Sequence, residues 1–69
     1  MSGIDMKNAN LMSANLVAAN LSRTDFSGAN LFSTKVMRAD LRNANLSGAN
    51  FQKSNLTRAN LKGANLNST

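Results

Sequence analysis

The chain of 69 residues contains no cysteine, histidine, tryptophan or tyrosine, and its three acidic residues are all aspartate, so glutamate is missing as well. Without cysteine there is no disulfide, which is consistent with a reducing compartment. Without histidine, cysteine or glutamate, the usual general bases and metal ligands are gone, and Asp5, Asp25 and Asp40 alone cannot build a metal cage. No stretch is long and apolar enough for a signal peptide or a membrane helix, so a cytoplasmic protein of bacterial type, without membrane insertion, is expected. No glycine-rich phosphate loop leads into a helix. These absences point to a chain that is not an enzyme, with no cofactor and no small-molecule substrate.

What is present is a period. A large apolar residue recurs at every fifth position from Met6 to Leu66: Met6, Leu11, Leu16, Leu21, Phe26, Leu31, Val36, Leu41, Leu46, Phe51, Leu56, Leu61 and Leu66. Two positions before each stands a small residue, apart from Ile4 in the first unit, and Asn or Asp lies between in every unit except the one with Lys35. A step of five advances about 500° on an α-helix, so the leucines would spiral around all its sides. On a flat strand the odd step would throw successive leucines onto opposite faces. Heptads fail because the spacing is neither three nor four.

The pattern fits if each unit makes one straight edge and one corner. Four corners of about 90° close a square coil in twenty residues, and residues twenty apart then stack at roughly 4.8 Å. The large residue and the small one two before it share the inward face, and the other three positions point out. Stacked coils pair their backbones and build a continuous core, which is the logic of a solenoid. Asn suits the tight turns this requires, because it bonds its own backbone and tolerates left-handed conformations.

Units such as Ala9-Asn10-Leu11-Met12-Ser13 and Ala39-Asp40-Leu41-Arg42-Asn43 resemble the pentapeptide-repeat family, whose units approximate A(N/D)LXX. The resemblance spans thirteen units over residues 4–68, leaving residues 1–3 as an N-terminal tail; it is weakest at Ile4 and at Thr34-Lys35. It implies an all-β fold, a right-handed quadrilateral β-helix, here of about three coils. Family members often carry a capping helix, for which this chain leaves no room. The best-known family activity is modulation of a type II topoisomerase (gyrase) by an acidic rod that resembles duplex DNA. A formal net charge of +5 runs the wrong way for that role.

Function is therefore sought on the outward positions. Met12 and Phe32 are equivalent on stacked coils, as are Val17 and Met37, with Ala18 beside them, and these apolar side chains are expected to form one patch for a protein partner or another copy. Arg38, Arg42, Lys53, Arg58 and Lys62 are expected to form basic faces. Arg38 stacks under Arg58 and Arg42 under Lys62, a repulsive arrangement that suits an anionic partner. Nucleic acid is the alternative partner, weakly supported because Phe32 is the one outward aromatic among the basic residues. The open coil ends are unpaired edges that invite association of copies. The expected role is a structural scaffold that presents flat faces to a protein partner or to its own copies.

Overall fold

The computed structural model of the protein describes residues 2–68. Nine parallel bridges join residues twenty apart, from Asp5 with Asp25 to Asn45 with Asn65, so four units make one turn of the coil. Each edge carries three backbone bonds. On the first, the Met6 amide donates to the Asp25 carbonyl at 2.8 Å and the Asn8 amide to the Ser27 carbonyl at 2.9 Å. The Asp25 amide returns a bond to the Ile4 carbonyl at 3.0 Å. The same triplet recurs from edge to edge, as parallel pairing requires. The paired segments are isolated bridges rather than extended strands, because the corner consumes the rest of each short unit. The described residues consist of these bridges and the turns between them.

The corner is a four-residue turn closed by the large residue. The Ala9 amide donates to the Met6 carbonyl at 3.1 Å, and the Ala29 amide to the Phe26 carbonyl at 2.9 Å. The third residue of each turn is left-handed, the conformation a type II turn demands there. Ten residues that are not glycine adopt it, from Asn8 (φ 58°) to Ser68 (φ 59°), together with Gly3, Gly28, Gly48 and Gly63. Each such L-residue costs roughly 1–2 kcal/mol, so the corner must be held by something else. The Asn or Asp of the unit does this: its Oδ1 accepts from the backbone amide two residues on. Asn10 clamps Met12 at 3.2 Å, Asn30 clamps Phe32 at 3.1 Å and Asn50 clamps Gln52 at 3.0 Å. Lys35 offers no oxygen to the Met37 amide, so this corner forms without the clamp. Glycine matters where corners crowd: a Cβ on Gly28 would strike Asn8 Oδ1, and one on Gly63 would strike Asn43 Oδ1.

The inward side chains form one core. Leu21, Phe26, Leu31, Val36, Leu41 and Leu46 are buried, with Ala29, Ala39, Ala44 and Ala49 between them. Thr34 is buried too, and its hydroxyl donates to the Leu31 carbonyl at 2.8 Å; the Ser54 hydroxyl reaches the Phe51 carbonyl at 2.6 Å. A hydroxyl at the small position is thus absorbed by the turn, which lets Thr and Ser stand where Ala is usual. Protection declines toward both ends. Met6, Leu11 and Leu16 at one end and Phe51, Leu56 and Leu61 at the other are half-buried, and Ile4 and Leu66 are 40% and 46% exposed. Ser2 and Gly3, expected as a tail, join the coil: the Gly3 amide donates to the Ser22 carbonyl at 3.0 Å, and the Ser22 hydroxyl donates to Ser2 Oγ at 3.2 Å.

Two substitutions test this account. Leu31→Asp leaves an unpaired carboxylate in the core at a cost above about 4 kcal/mol, comparable to the whole stability expected of a domain this small, on the order of 5 kcal/mol. Its circular dichroism should be that of an unfolded chain. Lys35→Asn supplies the missing clamp and should stabilise by about 0.5 kcal/mol, raising the urea midpoint; an unchanged or lower midpoint would show that the clamp does not hold the corner.

Candidate interaction surface

The outward positions face solvent because the stacking of bridges fixes which residues turn in. Met12 and Val17 are 52% and 41% exposed, while Phe32 and Met37, one turn above them and covered on both sides, are half-buried. The expected apolar residues and the expected basic residues interleave. Val17, Met37, Arg38, Thr57 and Arg58 line one shallow groove of about 230 Å³. Phe32 pairs with a cation from the other group: Lys53 Nζ lies 5.7 Å from the ring centroid, within cation–π range. Met12 and Phe32 take no part in lining the groove that holds Val17 and Met37. Thr57 is the groove residue that sequence reasoning passed over. Its hydroxyl donates to Asn55 Oδ1, and nothing in the repeat pattern distinguishes it from other outward positions.

The basic side chains are not equivalent. Arg42, expected as one free cation of a basic face, is committed to Asp40: Nη2 meets Oδ2 at 2.8 Å and Nε meets Oδ1 at 2.9 Å. The reason is local. The clamp on the Arg42 amide already brings Asp40 Oδ1 to 3.1 Å, and the guanidinium then folds over the same carboxylate. Arg42 therefore adds less to the positive field than its place in the column suggests. The guanidinium and the Arg42 amide hold the Asp40 carboxyl below its ordinary value, and the carboxylate in turn raises the Arg42 pKa. Asp25 is lowered by the Ser27 amide first and the Ser27 hydroxyl second, at 3.0 and 2.8 Å. Among the described residues no group of three His, Cys, Asp or Glu side chains stands close enough to hold a metal ion.

The family model for pentapeptide repeats matches residues 1–28 and 37–69 in eight copies. The chain belongs to the pentapeptide-repeat family. The unmatched stretch between the two segments contains Thr34 and Lys35, where the repeat departs furthest from its pattern, yet the ladder of bonds runs through it unbroken. A crystal structure of a pentapeptide repeat protein from the cyanobacterium Cyanothece 51142 is similar to the chain at 31% identity and a TM-score of 0.60, covering 94% of this chain and 41% of that one. A second, from Nostoc Pcc 7120, is 37% identical with a TM-score of 0.50, covering 90% of this chain and 56% of that one. A third, from the Arabidopsis thaliana thylakoid lumen, is 36% identical with a TM-score of 0.45 and covers 91% and 50% of the two chains. The chain thus spans about half the length of these solved relatives. No curated protein matches the chain. No helix among the described residues is long and apolar enough to cross a membrane.

The lowered carboxylates set the acid response. A group whose pKa is depressed by folding stabilises the folded state above its ordinary value and loses that contribution as pH falls through the folded value. For Asp25 and Asp40 the loss should begin below the ordinary value of 3.8. Stability should be flat from neutral pH to about 5 and should fall as pH drops below that ordinary value. The Asp25→Asn/Asp40→Asn double variant keeps both clamps without the charges, and its thermal melts should lose less stability over the same acid range.

Proposed function

We propose that the chain is a non-enzymatic scaffold whose outward side chains hold a protein partner that is apolar at the centre of its contact and acidic at the rim. The observation that carries this reading is the groove in which Val17 and Met37 lie beside Arg38 and Arg58. An apolar floor with cations along it suits a segment that combines apolar and carboxylate side chains. Phe32, with Lys53 over its ring, provides a second contact of the same mixed character on the neighbouring side, with Met12 exposed below it. Lys62 extends the positive field, and Arg42 contributes less because Asp40 neutralises it. A right-handed coil, as the family implies, and a cytoplasmic location complete the reading.

Nucleic acid is the second reading, supported by the adjacency of Arg38 and Arg58 in the groove. It requires affinity that falls steeply with salt. A role as a topoisomerase modulator by imitation of DNA is disfavoured by the formal net charge of the chain, which is +5.

The test is capture from a host lysate by the tagged chain, with and without nuclease, beside Phe32→Asp and Met37→Asp. Both variants should fold, with a melting temperature only slightly lowered, since each loses a half-buried outward contact and no core residue. A specific protein retained after nuclease, competed by acidic peptides and lost with the variants supports the scaffold. Capture that vanishes with nuclease moves the assignment to nucleic acid.

A further inference from the structure

Every corner but one spends its outward amide on the Asn or Asp two residues earlier. The corners one turn below and one turn above Met37 show the rule. Asn15 Oδ1 accepts from the Val17 amide at 3.1 Å, and Asn55 Oδ1 from the Thr57 amide at 3.0 Å. Between them the pattern breaks. Lys35 stands where the acceptor belongs, and the Met37 amide has no hydrogen-bond partner among the described residues. The coil thus carries one unspent backbone donor on its side.

The surroundings of that donor are cationic. Lys35 lies two residues before it, and Arg38 follows it in the chain. Arg58 stacks on Arg38, whose own amide donates to the Thr57 carbonyl at 2.9 Å. Lys35, Arg38 and Arg58 are all exposed, and none forms an ion pair or a side-chain hydrogen bond among the described residues. Val17 and Met37 supply the apolar part of the groove that Arg38, Thr57 and Arg58 complete. An unspent amide among uncompensated cations is a set of donors without an acceptor, and it suits an anion.

The chain itself shows which anion fits such a corner. At Asp25 and Asp40 the acceptor is a carboxylate instead of an amide oxygen. The Asp40 carboxylate takes the Arg42 amide at 3.1 Å and the Arg42 guanidinium at 2.9 and 2.8 Å. The Met37 corner offers the same two kinds of donor and has no acceptor of its own. Asp5, Asp25 and Asp40 each clamp their own corner, which favours a different molecule as the source of the oxygen. We propose that the Met37 corner is a carboxylate-binding site, where an Asp or Glu of a protein partner accepts from the Met37 amide among Lys35, Arg38 and Arg58. The partner completes from outside the clamp that Lys35 omits, and an apolar neighbour of its carboxylate rests on Val17 and Met37. This rests on the partner surface proposed above and names its anchor.

The probe is the capped tripeptide Leu-Glu-Leu, with Leu-Gln-Leu as its uncharged counterpart, titrated into the isotope-labelled chain and followed by NMR. The glutamate peptide should move the Met37 amide proton downfield in a saturable way, and the glutamine peptide should bind roughly tenfold more weakly. Lys35→Asn restores the internal clamp and should lose at least about tenfold in affinity. Lys35→Met removes the same cation but leaves the amide open, so it should retain more affinity than Lys35→Asn. Met37→Pro isolates the amide from the other side. Proline is favoured at the second position of a type II turn, and here it removes a donor that holds nothing among the described residues. That variant should keep the wild-type circular dichroism and bind roughly tenfold more weakly than Met37→Ala, which loses the same side chain and keeps the amide. Equal affinities of Met37→Pro and Met37→Ala, or of Lys35→Asn and Lys35→Met, overturn the site. If Met37→Pro fails to fold, the Lys35 pair decides alone. A peptide that binds the groove without moving the Met37 amide also overturns the site and leaves the scaffold surface standing. Binding nowhere on the groove overturns it too, and capture from lysate then decides the scaffold reading separately.

Discussion

Everything in this molecule depends on the corner. A backbone turned through a left-handed residue at every fifth position closes on itself after four units, and only then can residues twenty apart exchange amides and carbonyls. The conformation is unfavourable for the ten residues that are not glycine, so it persists because two local bonds and three ladder bonds surround it. The Asx clamp is the part written most clearly into the sequence. It also explains why Asn dominates a position that touches neither core nor partner: the side chain spends its acceptor on the chain itself.

Once the corner is set, the core has little freedom. Inward columns receive a large residue and a small one from each unit, and after the first unit the small position varies only from Ala to Thr or Ser, whose hydroxyl returns to the turn at Thr34 and Ser54. The interior is a single narrow column, well protected between Leu21 and Ala49 and progressively open toward both ends. Stability in such an arrangement is a sum of contacts between adjacent turns, and a coil with few turns has few of them. The outward side chains, by contrast, are unconstrained by packing. Arg38 and Arg58 occupy left-handed corners where Asn, Ser, Ala and Lys stand in other units, so their presence beside Val17 and Met37 is information about surface chemistry more than about folding.

The square coil was legible because one number, five, excludes both helix and extended strand, and because inward and outward positions follow from it without ambiguity. Asn as the turn former was legible for the same reason: the residue type and its fixed phase name the bond it makes. Other features were not. That the paired segments shrink to single bridges depends on how many residues the corner uses, which the period does not reveal. The pairing of Arg42 with Asp40 lay hidden because a column of stacked cations was read between coils, while the carboxylate sits two residues away on the same edge. The mixing of the apolar and basic groups, with Lys53 over Phe32 and Arg38 beside Met37, depends on how long side chains lean across a corner. A repeat pattern is silent on rotamers.

The uniform separation of the ladder partners has a kinetic consequence. Each bond between turns joins residues nineteen or twenty-one apart, so no pairing is local and none is much more distant than another. The first complete turn must close a loop of some twenty residues before any ladder bond rewards it, an entropic toll of a few RT. Every later unit adds its three bonds to a template already in place. The chain therefore has one slow act, forming a first pair of stacked turns, followed by rapid growth in either direction. The well-protected middle of the coil, where both neighbours are available, is the natural place for that act.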